Sequence, residues 1–177
     1  GMRAARLKIK RDILICGETR FEAIAEQLKT HKPCLAIIDS IQTLYSEQVA
    51  GTPGGVAQIR EVAAGLIRIA KTNNITIIMV GHIAKDGSIA GPKTIEHMVD
   101  TVLGFEGDST GGYRIIRSAK NRFGRSNEIC FFEMGEAGLI PVDSSKALLV
   151  AGRPLNSPGS VLTSTLEGND ALTIEVQ

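Results

Sequence analysis

The chain has 177 residues, of which 43% are hydrophobic and 22% are charged, and its formal net charge is +1. This composition excludes a disordered tail, which requires low apolar content, and a strongly basic nucleic-acid arm, which requires a large excess of positive charge. No apolar run approaches the ~18 residues that span a bilayer, and residues 1–12 lack the apolar core of a signal peptide. We therefore expect a cytoplasmic protein that does not enter a membrane.

Apolar runs alternate with amphipathic stretches in the first hundred residues, a pattern typical of parallel strands joined by crossover helices. A continuous apolar run such as 34–38 predicts a strand that is covered on both faces. Recurrence of apolar residues at helical spacing predicts the helices. In chain order, the predicted elements are a strand at 13–16, a helix at 21–28, strands at 34–38 and 75–80 separated by a helix at 56–70, a short helix at 95–99 and a strand at 101–105.

The second half of the chain favours antiparallel pairing. Strands at 113–119 and 128–134 are expected to pair across a short loop. Three prolines and several serines in 141–158 indicate a linker, and two apolar runs flanking Glu-Gly-Asn-Asp predict a final hairpin at 160–176. The predicted organisation is an α/β domain over 1–140, a linker over 141–158 and the start of another domain over 159–177.

The three cysteines, Cys16, Cys34 and Cys130, form neither a C-x-x-C pair nor a cluster with histidine. Neither a zinc site nor a disulfide framework is therefore indicated. We expect three reduced and mostly buried thiols.

The strand at 34–38 ends in Asp39 and Ser40. Ligands of α/β proteins bind beyond the carboxyl ends of strands, where a carboxylate can hold a water molecule of Mg²⁺ beside phosphates. This is the Walker B interpretation, with Asp39 and Ser40 as candidate nucleotide-binding residues. An aspartate in this position also commonly caps the following helix, and the sequence alone leaves both interpretations open.

His82 follows the strand at 75–80 and could sense a bound phosphate or a polarised water by hydrogen bonding. A structural or capping histidine is the alternative. Lys85 and Lys93 lie in the polar stretch that follows, where they could contact a nucleic-acid backbone or be solvated. The stretch is not a phosphate-binding P-loop, because its glycine spacing is one residue short and Pro92 removes an N–H donor.

Lys120 and Arg122 lie two residues apart in a predicted extended segment, so their side chains are expected on one face, about 7 Å apart. Two cations placed in this way can straddle a phosphate chain and stabilise the charge that develops during phosphoryl transfer. A solvated charged surface is the alternative interpretation.

Three strings resemble the bacterial RadA (Sms) family of recombination and repair ATPases: I-D-S-I-Q-T-L-Y-S at 38–46, E-H-M-V-D-T-V-L at 96–103 and, above all, K-N-R-F-G at 120–124. The resemblance runs from about Met2 to the last residue. It implies the C-terminal part of a RecA-like P-loop ATPase core, with a mostly parallel sheet and added antiparallel strands, followed by the first hairpin of a Lon-protease-like domain.

The resemblance also implies residue roles. Asp39 would be the Walker B carboxylate that holds Mg²⁺ through water, and His82 would be the sensor of ATP hydrolysis. Lys120 and Arg122 would reach the nucleotide of a neighbouring subunit. Lys85 and Lys93 would lie in a DNA-contacting loop.

The implied function is an ATP-driven motor, with DNA-stimulated hydrolysis, that assembles as a hexameric ring on single-stranded or branched DNA and promotes branch migration. The family's zinc segment and Walker A loop have no counterpart in the sequence, so zinc is expected only through that absent segment. This chain alone is expected to be catalytically inactive and to form a homo-oligomer by strand pairing or exchange; a sheet that closes over the gap left by the missing strand is the alternative. The alternatives are a non-catalytic module for oligomerisation and DNA contact, and a relative of ATP-dependent serine proteases, for which no Ser-Lys pair is evident.

Overall fold

The computed structural model describes residues 13–82, 91–107, 113–136, 138–142, 161–167 and 170–176. The described chain forms two compact units, which divide between Val99 and Asp100. The first unit contains α1 (Phe21–His31), β1 (Leu35–Asp39), a 3-10 turn (Ile41–Thr43), α2 (Val56–Asn73), β2 (Thr76–Val80) and α3 (Gly91–Glu96). The second unit contains β3 (Thr101–Gly107), β4 (Tyr113–Asn121), β5 (Ile129–Gly135), β6 (Gly138–Val142), β7 (Val161–Glu167) and β8 (Asp170–Val176).

Both long helices end at a residue in the left-handed conformation. Lys32 ends α1 with φ 41°, and its N–H donates to the Leu28 carbonyl. Asn74 ends α2 with φ 54° and bonds in the same way to Ala70. This capping satisfies a carbonyl that the helix itself leaves unpaired, and it turns the chain toward the strand that follows each helix.

The core of the first unit lies between the helices and one face of a two-stranded sheet. β1 and β2 pair in parallel from Leu35 opposite Thr76 to Asp39 opposite Val80, as expected for strands joined through a helix. The largest fully buried apolar side chains come from the 3-10 turn and α2: Ile41, Ile59, Val62 and Leu66.

The described residues cover only one face of this sheet. Ala36 and Ile38 of β1 pack against the core, whereas Leu35 and Ile37 are exposed, as is Ile78 of β2. The prediction that the 34–38 strand is covered on both faces is therefore wrong for the described structure. The reason is that the described helices pack on one side of the sheet only.

Gly65 of α2 lies against the Phe21 ring of α1. A Cβ atom added to Gly65 would lie 2.2 Å from Cζ of the Phe21 ring. Real Cβ atoms do not approach other heavy atoms so closely, so the Phe21 ring occupies the space that a side chain would need. A side chain at position 65 would therefore require the Phe21 ring to move.

We predict that Gly65→Ala destabilises the first unit. Overpacking typically costs about 1–3 kcal/mol, and the better helix propensity of alanine returns about 1 kcal/mol at most. Urea unfolding should therefore show a lower midpoint, and adding Phe21→Leu should recover stability in a double-mutant cycle. Gly17→Ala is the matched control, because no atom lies within 4 Å of its added Cβ. An unchanged midpoint, without coupling to Phe21, would refute the contact.

A buried amide holds the loop that precedes α2. Gln58, on the first turns of the helix, accepts a hydrogen bond from the Ser46 N–H at 2.8 Å and donates to the Ser46 carbonyl at 3.1 Å. The carbonyls of Val49 and Gly51 also lie within hydrogen-bond distance of its Nε2, so the three carbonyls share its two N–H groups. Because a buried amide without partners would be costly, these bonds both satisfy Gln58 and fix residues 46–51.

Glu22 of α1 joins the same network, since Ser46 Oγ donates to its carboxylate at 2.6 Å. Burial acts to raise the pKa of Glu22, but hydrogen bonds from Ser46 and from backbone N–H groups, together with the charge of Arg20, lower the pKa below its ordinary value. A lowered folded-state pKa means that ionised Glu22 favours the fold at neutral pH. That contribution is lost as the pH falls through the lowered pKa.

The second unit contains an antiparallel four-stranded sheet in the order β3-β4-β5-β6. Ile129 and Phe131 of β5 are buried on one face, with Ile115 and Val142 packed against them. The strand register places Phe105 of β3 on the opposite face. This opposite face is exposed and apolar; it carries Leu103, Phe105, Met134 and Leu139.

The α/β prediction is confirmed, and most predicted elements are present within a few residues. The expected mostly parallel sheet differs from the described strands, in which only β1 and β2 pair in parallel. Residues 13–16 form no strand and are exposed. The expectation of mostly buried thiols is also wrong, because Cys16, Cys34 and Cys130 are all exposed.

The end of the chain agrees in part with the predicted organisation. β7 and β8 pair antiparallel as the expected hairpin. β6 is an element that the sequence analysis did not predict, and it extends two residues into the predicted linker over 141–158. Residues 143–158 of that linker and residues 159–160 before the hairpin lie outside the described residues.

Candidate functional site

Two of the predicted site residues meet at the carboxyl edge of the β1–β2 sheet. Asp39 is the last residue of β1 and pairs with Val80, so that His82 follows two residues beyond the paired strand. Asp39 Oδ1 lies 4.0 Å from His82 Nε2, and the side chains are 69% and 74% exposed. The carboxylate is therefore accessible to a hydrated cation, with an imidazole within reach of the same ligand.

The capping interpretation of Asp39 finds no support in the turn that follows it. The N-cap of the 3-10 turn is Ser40, and no side chain caps it. Ser40 is buried, the peptide bond that precedes it is cis, and its carbonyl accepts hydrogen bonds from Thr43 N at 3.2 Å and Thr43 Oγ1 at 2.8 Å. The Asp39 carboxylate is thus left for interactions beyond the turn, whereas Ser40 contributes to the turn itself.

Gln42 is a site residue that sequence reasoning missed. Its Nε2 donates to the His82 carbonyl at 3.0 Å, which ties the segment after β2 to the turn after β1. Its Oε1 is buried and has no hydrogen-bond partner within the described chain. Gln42 lies in the 38–46 string, but a polar residue in a turn carries no periodic signal that would indicate a contact with residue 82.

We predict that Gln42 positions the His82 ring relative to Asp39. In the wild-type chain, Asp39→Asn should shift the NMR resonances of the His82 imidazole, because the two groups lie 4.0 Å apart. In a Gln42→Leu background, the same substitution should shift them much less, since the His82 backbone is released. Gln27→Leu is the matched control background, because it removes another glutamine–histidine contact, to His31 on α1. In that background Asp39→Asn should shift the His82 resonances as much as in the wild-type chain. Equal shifts in both backgrounds would contradict this role.

Lys120 and Arg122 lie at the end of β4 in the second unit. Lys120 pairs with Val102 of β3, and the Arg122 N–H extends the ladder by donating to the Asp100 carbonyl at 3.0 Å. The extended conformation predicted for this segment is confirmed as far as Asn121.

The Arg122 guanidinium already has an anionic partner. Its Nη1 lies 2.8 Å from Asp100 Oδ1, and both side chains are about half exposed. An exposed ion pair is worth only about 0–1 kcal/mol, so a phosphate can compete for this guanidinium at low cost. Asp100 belongs to the 96–103 string, yet its pairing with Arg122, 22 residues away, could not be predicted from spacing.

Lys93, one of the two predicted DNA-contacting lysines, belongs to α3. Lys85 and the side chain of Lys93 lie outside the described residues. Within the described ranges, no three His, Cys, Asp or Glu side chains gather as metal ligands. The helices described are all too short or too polar to cross a bilayer.

No protein-family model matches the chain. Curated relatives match it almost from end to end: the DNA repair protein RadA of Pseudomonas aeruginosa is 46% identical over 99% of this chain. The RadA proteins of Listeria monocytogenes and Bacillus subtilis are 45% and 44% identical over the same share. The predicted resemblance to RadA is confirmed. The chain spans about 39% of the length of these RadA proteins.

A solved structure of the RadB recombinase has a similar fold. It aligns with 70% of this chain and 59% of its own, with a TM-score of 0.52 and 19% sequence identity. At that identity the likeness concerns the fold alone. It does not bear on the Lon-like assignment of the final hairpin.

Proposed function

We propose that this chain is the part of a RadA-type ATPase core that carries the Walker B carboxylate and the sensor of hydrolysis, and that the whole protein acts in DNA recombination and repair in the cytoplasm. ATP and Mg²⁺ are the proposed ligands. The observation that carries the proposal is the meeting of Asp39 and His82 at the carboxyl edge of β1 and β2, the edge at which α/β proteins bind ligands.

The residues of the first unit suit a role in hydrolysis and its detection. The exposed Asp39 carboxylate can accept a hydrogen bond from a water molecule, and Mg²⁺ keeps several such waters when it binds phosphates. The His82 ring can hydrogen-bond to Asp39 or to a phosphate oxygen through either of its two nitrogens. Since Gln42 holds the His82 backbone, the imidazole ring can change its hydrogen-bond partner while the backbone stays in place.

The residues of the second unit supply positive charge. In the proposal, Lys120 and Arg122 reach a nucleotide bound by the neighbouring subunit of a homo-oligomeric ring, proposed to be a hexamer. A guanidinium supplied by a neighbour stabilises the charge of the transferred phosphoryl group. Lys85 and Lys93 are the proposed contacts to single-stranded or branched DNA, and ATP-driven branch migration is the proposed outcome.

The test uses the full-length protein. Arg122→Ala should lower Mg²⁺-dependent ATP turnover by about 10³-fold or more. Asp39→Asn should also lower it, because the neutral amide holds a water of Mg²⁺ less well than the carboxylate does. Lys71→Ala, at an exposed lysine in the last turn of α2, should leave turnover unchanged. Mixing the Asp39→Asn and Arg122→Ala proteins should restore part of the activity, because the mixed ring contains sites with both groups intact.

Two results would reject this assignment. Normal turnover after neutralisation of Lys120 and Arg122 would remove the proposed role of the cations. Failure of the two inactive proteins to complement each other in a mixed ring would show that Arg122 does not act across a subunit boundary.

A second candidate is a non-catalytic module for oligomerisation and DNA contact. It is favoured by two exposed apolar sheet faces, one on β1 and β2 and one on the four-stranded sheet, since monomers seldom expose large apolar patches. The outer strands of the described sheets also have an edge of backbone N–H and C=O groups, with which a strand of another chain can pair.

This candidate predicts that the chain self-associates in solution. Light scattering coupled to gel filtration should give a mass above that of the monomer, and Ile37→Glu or Leu103→Glu should shift it toward the monomer. Ile15→Glu is the control, because Ile15 is 91% exposed outside any strand. A monomeric wild-type chain at all concentrations would reject this candidate.

A further inference from the structure

The turn that follows β4 presents an aromatic ring to solvent. Phe123, within the K-N-R-F-G string, is 81% exposed, the highest value among the large aromatic side chains whose exposure the structure describes. Burying a phenylalanine side chain is worth about 1.5–3 kcal/mol, so the exposed ring is a favourable contact for any ligand that covers it. The roles proposed above for Lys120 and Arg122 make no use of it.

The backbone around Phe123 is fixed by the side chain of Asn121. Its Oδ1 accepts a hydrogen bond from the Phe123 N–H at 3.2 Å, and its Nδ2 donates to the Arg125 carbonyl at 3.2 Å. A Cβ atom at Gly124 would lie 2.9 Å from Nδ2 of Asn121. Glycine at this position therefore leaves the space that the asparagine needs to bridge the turn.

Both flanks of the turn are also fixed. On the side toward β3, Arg122 bonds to Asp100 through its N–H and through its guanidinium. On the side toward β5, the N–H of Asn127 donates to the Ser118 carbonyl at 2.7 Å, and the Ser118 N–H donates to Glu128 at 2.9 Å. The ring is thus held out by a prebuilt turn, and a ligand need not order the backbone when it binds.

The surroundings of Phe123 indicate the class of ligand. Arg122 precedes the ring and the exposed Arg125 lies two residues after it, so the apolar surface is bordered by positive charge. An apolar pocket of a protein partner would have to desolvate these guanidinium groups. A nucleotide offers both complements at once, a π-face that stacks on an aromatic ring and a phosphate that pairs with arginine.

We propose that Phe123 stacks on a nucleobase, with Arg125 contacting the adjoining phosphate. The shared chemistry is that of a base with its phosphate, whether the base belongs to single-stranded DNA or to ATP. The inference rests on the proposed function, because that function is the reason to expect DNA and ATP as ligands. It adds a base contact to a segment to which only charges had been assigned.

The chain contains no tryptophan, so Phe123→Trp creates a fluorescent reporter without background. Stacking of a base on the indole should quench its emission in a saturable way. The ligands are a short oligothymidylate, an abasic oligonucleotide of the same length, and ATP. Phe105→Trp is the matched control, because Phe105 is 57% exposed in the same unit but lies on a strand of the sheet.

The expected result is quenching of Phe123→Trp by the oligothymidylate or by ATP that exceeds both the quenching of Phe105→Trp and the effect of the abasic strand. Stacking is worth about 1–3 kcal/mol per base, so Phe123→Ala should weaken binding of the quenching ligand by roughly 5- to 150-fold. Phe123→Leu should weaken it comparably, since leucine cannot stack. Circular dichroism should confirm that the variants stay folded.

Three results would overturn the inference: equal quenching of both reporters, quenching by the abasic strand alone, or full affinity in Phe123→Leu, which would indicate apolar insertion instead of stacking. These outcomes are distinct from failure of the proposed function. If the wild-type chain binds DNA in a salt-sensitive manner and Phe123→Ala binds equally well, the base contact is wrong and the function stands. If full-length Asp39→Asn retains turnover, the function fails whatever the reporters show.

Discussion

The parallel pairing of β1 with β2 is the constraint on which the candidate site depends. It brings the carboxyl ends of two strands, separated in sequence by α2, to one edge of the sheet, and so places Asp39 within 4.0 Å of His82. A slip of one residue would turn Ala36 and Ile38 away from the core and move Asp39 from the exposed face of the sheet to the covered one. The packing of α2 on one face of the sheet therefore fixes the geometry of the site as well as the core.

Uncharged amides perform the local positioning in both units. Gln42 holds the backbone of His82, Gln58 holds the loop before α2, and Asn121 holds the turn that carries Phe123. Each amide can both donate and accept, so one side chain can close a loop on backbone groups. Because an amide has no charge, it can do so next to Asp39 or Arg122 without altering the charge that a ligand would meet.

The parts of the fold that could be predicted are those with a repeating or local signal. Helix α2 could be predicted because apolar residues recur at helical spacing. Asp39 could be selected as a candidate because it ends an apolar run, and ligands of α/β proteins bind at the carboxyl ends of strands. The contacts of Gln42 with His82 and of Arg122 with Asp100 join residues 40 and 22 positions apart. Such pairings depend on tertiary structure and leave no mark in the local pattern.

Two errors have physical reasons of their own. The apolar run at 13–16 forms no strand, because a strand requires a neighbour for its backbone groups and none pairs with it among the described residues. The last two residues of β6 were assigned to a linker, in part because of Pro141. That residue pairs opposite Phe132 on an edge strand, where proline is tolerated because one side of the backbone needs no partner.

The bonds of Gln58 also limit how this protein can diverge. The amide spans the carbonyls of Ser46, Val49 and Gly51 in one fixed spacing. An insertion or deletion between these residues would displace the carbonyls and leave the buried Gln58 amide without hydrogen-bond partners, which is costly. Relatives whose segment differs in length should therefore carry a different residue at the helix position, so that the two features change together during evolution.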